Sequence, residues 1–140
     1  MSNIRIAAAP ISWGVCEVPG WGHQMDADRV LTEMASLGVE ATEFGPLGFL
    51  PEDAEGRRAT LEKHGMKAVG GFVPVVLHDP GFDPLPEVDT ELDAYVAAGA
   101  EVLVLAANTG LDGYDATRPE MREENWQAMA DNLARISQRA

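Results

Sequence analysis

Three times in 140 residues the chain repeats one short pattern. Gly38-Val39-Glu40-Ala41, Gly65-Met66-Lys67-Ala68 and Gly99-Ala100-Glu101-Val102 each run glycine, small or apolar residue, charged residue, strand former. A glycine closing an amphipathic stretch marks a helix end, because glycine enters the left-handed conformation without steric cost. The residues after it turn back into a short apolar run. That is the seam of a βα repeat, whose parallel strands are joined by right-handed crossovers.

Elements can be placed around these seams. A first strand is expected over Ile4 to Ala9, breaking at Pro10 into a loop that reaches Gly22. Asp26 can cap a helix running to about Leu37, with Val30, Leu31, Met34 and Leu37 at the spacing of one buried face. A second strand follows over Ala41 to Phe44, then a helix from Pro51 to His64. A third strand is expected over Lys67 to Val73, closed by Pro74, with a long loop from Val75 to Pro86. A third helix covers Val88 to Ala98 and a fourth strand Glu101 to Ala106. The last helix spans about Glu120 to Gln138 and is read as packing through Trp126, Met129, Ala130, Leu133 and Ile136. The strands read as short apolar runs, as strands covered on both faces do.

The expected fold class is therefore α/β, with four βα units in one domain over residues 1–140. Two architectures use such units. One is half of a (β/α)8 TIM barrel, a fold that takes about 250 residues when whole. The other is a small open parallel α/β sheet. A half-barrel would leave its first and fourth strands with unpaired edges, which are templates for association.

Composition narrows the partners. A net charge of −13 argues against nucleic acid and anionic membrane surfaces, since both require a basic face. The single cysteine, Cys16, excludes an intrachain disulfide and fits a reducing compartment. No basic region followed by an apolar run opens the chain, so no signal peptide is expected. No apolar run approaches the roughly 18 residues of a membrane helix, and a cytoplasmic location is the expectation.

The phosphate-binding signatures of open sheets, G-x-G-x-x-G and G-x-x-x-x-G-K-[ST], are absent. Ligands in α/β folds gather at the carboxyl ends of the strands, so the strand-end residues are the substrate-binding candidates. Trp13 follows the first strand and can offer a ring face to a sugar, or serve only as packing. Glu43 ends an otherwise apolar strand, where a carboxylate is costly to bury without a partner. Its alternative is to point into the helical layer and reach water. His78, beside Asp79, can hydrogen-bond a hydroxyl or move a proton, or the pair can merely shape the turn before Pro80-Gly81. Asn108 can present an amide to a hydroxyl, or cap the turn after the fourth strand. No catalytic residue and no metal ligand is assigned. Cys16 has no basic sequence neighbour to favour its thiolate, and the pairs Arg57-Arg58 and Glu123-Glu124 read as solvated helix faces.

Two of these segments also carry a resemblance. Pro10-Ile11-Ser12-Trp13-Gly14-Val15-Cys16-Glu17 and Glu43-Phe44-Gly45-Pro46-Leu47-Gly48-Phe49-Leu50-Pro51 resemble the N-terminal half of the myo-inosose dehydratases. That family lies within the sugar-phosphate isomerase/epimerase group with a xylose-isomerase-like barrel. The resemblance covers nearly the whole chain in element order. It implies a (β/α)8 barrel acting on a polyol or keto-sugar in inositol metabolism. It also implies a divalent metal, manganese or cobalt, whose ligands come from later strands than this chain contains. The reaction implied is dehydration, isomerisation or epimerisation through an enediolate. Trp13, Glu43, His78 and Asn108 carry over as pocket positions. A half-barrel with such unpaired edges would self-associate or pair with a C-terminal half. A non-catalytic small-ligand-binding or self-associating module is the alternative.

Overall fold

The computed structural model describes residues 5–18, 20–112 and 116–140. Its elements alternate as the glycine seams require: α1 (Ala27–Ser36), β1 (Ala41–Glu43), α2 (Ala54–Lys63), β2 (Lys67–Val75), α3 (Leu85–Ala98), β3 (Val102–Ala107) and α4 (Glu123–Ser137). Gly38, Gly65 and Gly99 all take φ near the left-handed region, at +78°, +68° and +79°. The three strands form one sheet in the order β1-β2-β3. β1 runs parallel to β2, with Ala41 opposite Lys67, Thr42 opposite Ala68 and Glu43 opposite Gly70. Two bonds that climb in the same direction, Glu101 N–H to Val69 O and Asn108 N–H to Val75 O, show that β3 is parallel as well. This is the expected α/β class, and it fits half of a βα barrel or an open parallel sheet. Among the described residues no helix is long and apolar enough to cross a membrane.

Several boundaries differ from expectation, each for a local reason. Of the strand expected over Ile4 to Ala9, Ile4 lies outside the described residues. The rest contributes one parallel bridge, Ala8 to Thr42, made by Ala8 N–H to Ala41 O and Glu43 N–H to Ala8 O. α2 does not open at Pro51. Asp53 caps it instead, its Oδ1 accepting from Gly56 N–H at 2.7 Å. α3 begins at Leu85, ahead of Val88, because Pro86 fits a first turn where no amide donor is needed. β2 continues through Pro74 to Val75. Val75 bonds towards β3, so strand alternation puts Pro74 on the other side, where its missing N–H breaks no bond to β3.

The chain divides into two compact units, one of residues up to Phe72 with Ala94–Val102, the other of Val73–Asp93 with Leu103–Ala140. In the first unit, Val30, Leu31 and Met34 of α1 are fully buried, as their spacing predicts, while Leu37 falls beyond the helix and is exposed. Phe44 meets Tyr95 with ring centroids 4.9 Å apart. The approach depends on Gly71, where a Cβ would stand 2.3 Å from the Tyr95 hydroxyl oxygen. Arg57 is not simply solvated: its guanidinium lies 5.3 Å from the centre of the Phe44 ring and its Nε donates to Pro51 O. Arg58 likewise donates to Ala97 O.

In the second unit Val75, Leu77, Val88 and Ile136 form a buried cluster, joined by Leu103, Leu105 and Met129. Along β3 the alternation is plain, since Val102 and Val104, between and beside the packed leucines, are 47% and 40% exposed. α4 corrects the sequence reading most sharply. Trp126 is 55% exposed, and Ala130 and Leu133 are exposed too. The packed stripe is Asn125, Met129, Asn132 and Ile136, the same helical spacing rotated to include two amides.

Candidate functional site

At the strand ends of the first unit two loops lock together. Past Ala8 the chain makes a 3-10 turn, Pro10–Trp13, that ends at Gly14 with φ +80°. Pro10 is buried there because Gly45, in the loop after β1, has no side chain. A Cβ at Gly45 would come within 2.8 Å of Pro10 Cγ and 3.0 Å of Phe49 Cδ1. The two segments that carry the family resemblance therefore meet just past the Ala8 bridge and the carboxyl end of β1. Between them runs a groove of about 690 Å³ whose walls include Cys16, Glu17, Gln24, Leu47 and Phe49.

Trp13 is half-buried and its indole N–H donates to Glu33 Oε2 on α1 at 3.0 Å. Glu33 Oε1 accepts from Arg29 Nε, also at 3.0 Å. The Arg29 hydrogen bond, against a smaller effect of burial and helped by the Trp13 bond, holds the Glu33 carboxyl below the ordinary glutamate range. The polar end of Trp13 is thus committed to α1, and Trp13 does not line the groove.

Glu43 stands at the tip of β1. Its neighbours Thr42 and Phe44 are buried, Phe44 packs against Tyr95 of α3, and the β1–β2 register shifts between Thr42 and Glu43. Glu43 is half-buried, and among the described residues its carboxylate has no hydrogen bond or ion pair.

The second unit places His78 and Asn108. His78 follows β2, is half-buried, and its imidazole has no partner among the described residues. Its backbone carbonyl accepts from Asn125 Nδ2 at 3.1 Å. Asp79 shapes the following turn, its Oδ1 accepting from Gly81 N–H at 2.8 Å. Asn108 also caps a turn: Oδ1 accepts from Gly110 N–H at 3.1 Å, leaving its amide NH2 to offer. A second groove, of about 700 Å³, lies between the 79–83 loop and α4, and none of the four candidates lines it. Trp13 and Glu43 therefore sit in one unit, His78 and Asn108 in the other, each at the carboxyl end of a strand or bridge. Sequence reasoning missed Glu33, Asn125 and Asn132. The signal for the last two was two amides seven residues apart on the helix face that also carries Met129 and Ile136.

Among the described residues no group of three or more His, Cys, Asp or Glu side chains could hold a metal ion. The described donors do not make a metal centre on their own.

No family model matches the chain. Curated proteins do. It is 30% identical over 151 residues to an inosose dehydratase of Geobacillus kaustophilus, an alignment covering 98% of this chain and 47% of that protein. It is 26% identical to the rhizopine catabolism protein MocC of Rhizobium meliloti, over 99% of the chain and 44% of the relative. An inosose dehydratase of Clostridium perfringens is 25% identical over 96% of the chain and 47% of its own length. By sequence the chain is a homologue of the inosose dehydratases, and it spans about half the length of the curated relatives it matches.

Proposed function

We propose that this chain supplies one half of a keto-polyol dehydratase of the inosose type. The observation that carries the reading is Glu43: an unpartnered, half-buried carboxylate at a strand tip, beside the two interlocked loops that bear the family motifs. A cyclic keto-polyol offers hydroxyl donors, which a carboxylate accepts well. In this reading Glu43 holds ligand hydroxyls, His78 binds a hydroxyl and exchanges a proton at its imidazole, and Asn108 donates its free amide N–H. Trp13 supports the wall. The chemistry removes the proton beside the ketone, giving an enediolate. The enediolate electrons then expel a neighbouring hydroxide, which takes up a proton and leaves as water. Isomerisation or epimerisation would return the proton to carbon instead. The divalent metal of the resemblance, manganese or cobalt, we assign to residues this chain does not contain. A cytoplasmic location belongs to the same proposal.

The proposal includes a partner. Phe72 on β2, 53% exposed, and Val102 and Val104 on β3 are exposed apolar strand residues. They suit a complementary half or a second copy of the chain. The site assignment is tested in an enzyme containing both halves. Glu43→Gln and His78→Ala should each lower kcat/KM for 2-keto-myo-inositol by about tenfold or more, the loss of one charged or strong hydrogen bond. The thermal midpoint should hold in both variants. Unchanged kinetics in both would remove the assignment.

A further inference from the structure

α4 turns two amides inward at positions where an apolar residue would pack at less cost. Asn132 is only 6% exposed, and its Nδ2 donates to Leu77 O at 3.0 Å. Asn125, two helical turns earlier on the same stripe, donates from Nδ2 to His78 O at 3.1 Å. Both acceptors lie past the end of β2. The second end of each amide is also occupied. Asn125 Oδ1 accepts from Arg122 N–H at 3.0 Å. Asn132 Oδ1 accepts from Arg135 Nη1 at 2.9 Å, and Arg135 Nη2 reaches Asp83 Oδ1 at 3.0 Å. A buried amide is tolerated only when satisfied, so this is a complete network, and what it holds is two consecutive carbonyls of the His78 loop.

We propose that Asn125 and Asn132 are positioning residues that fix the strand-end loop so that the His78 imidazole is presented to ligand. The role as ligand positioning rests on the reading of His78 given above. The anchoring itself does not, and the two can be separated by experiment.

The test uses Asn125→Asp and Asn125→Ser. Asn125→Asp keeps an oxygen for the Arg122 N–H, Asn125→Ser shortens the side chain by one atom without adding charge, and neither reproduces the amide donor aimed at His78 O. The serine variant controls for the charge that aspartate adds. The readouts are backbone order at residues 77–79 and the ring signals of His78, distinguished from His23 and His64 by a His78→Gln sample. Both variants should keep the wild-type helical circular dichroism. The order parameter at His78 should fall from about 0.85 to below about 0.6. The 2-keto-myo-inositol concentration that moves the His78 ring signals should rise at least tenfold. Wild-type order and ring signals in both variants overturn the proposal, as does a change in the aspartate variant alone, which would report charge rather than anchoring. A loosened loop in both variants, with wild-type His78 indifferent to the keto-polyol, confirms the anchor and removes the ligand role of His78.

Discussion

At the scale of single residues, Glu33 joins two parts of the first unit by accepting from both Arg29 and Trp13. Its folded pKa is depressed, so the bond to Trp13 is complete above the ordinary glutamate range. It is lost only as pH falls through the lower folded value. With Trp21 and Trp126 replaced by phenylalanine, Trp13 emission should stay constant from neutral pH through the ordinary glutamate range. It should change only at more acid pH, and Glu33→Gln should abolish that step. A transition at ordinary glutamate pH would contradict the arrangement. Residues differed in how legible they were. Glu43 stands out in the sequence because a carboxylate in an apolar strand violates the strand's own pattern. His78 could be read from its position after a strand. Asn125 and Asn132 could not, because periodicity is counted on apolar side chains and a buried amide leaves no mark until its carbonyl partner is known. Asn108 could be read both ways, and its Oδ1 caps the turn while its NH2 stays free.

At the scale of elements, glycine punctuation was the reliable signal, since all three seam glycines take the conformation that only glycine adopts without strain. Helix starts were less legible. α2 starts after Asp53, whose side chain accepts from Gly56 N–H, and not with Pro51 in its first turn. The helical period of α4 was correct but its phase was not: Trp126 and Leu133 weighed heavily in an apolar count, whereas the packed stripe includes the two amides. The strands leave a consequence in their exposed apolar residues. With Phe72, Val102 and Val104 exposed, sedimentation velocity should show concentration-dependent association, stronger at high salt as repulsion between chains of charge −13 is screened. Phe72→Ser should weaken it. A monomer at every concentration and salt would remove the proposed interface.

At the scale of the whole molecule, the sequence was sufficient for the α/β class and for the family, but not for the choice between half a barrel and an open sheet. Both use the same parallel βα units, and the difference lies in what completes the sheet. The relatives, about twice as long, set the context in which this chain is read. The central claim is that the strand-end residues of each unit bind a keto-polyol. Titrating isotope-labelled chain with 2-keto-myo-inositol, while following every backbone amide, tests it directly. The account predicts that the signals that move belong to Glu43–Leu50, Leu77–Asp79 and Asn108–Gly110, at the carboxyl ends of the strands. Shifts gathered instead at the amino ends, around Gly38–Glu40, Gly65–Met66 and Gly99–Ala100, or no shifts at all, would contradict it.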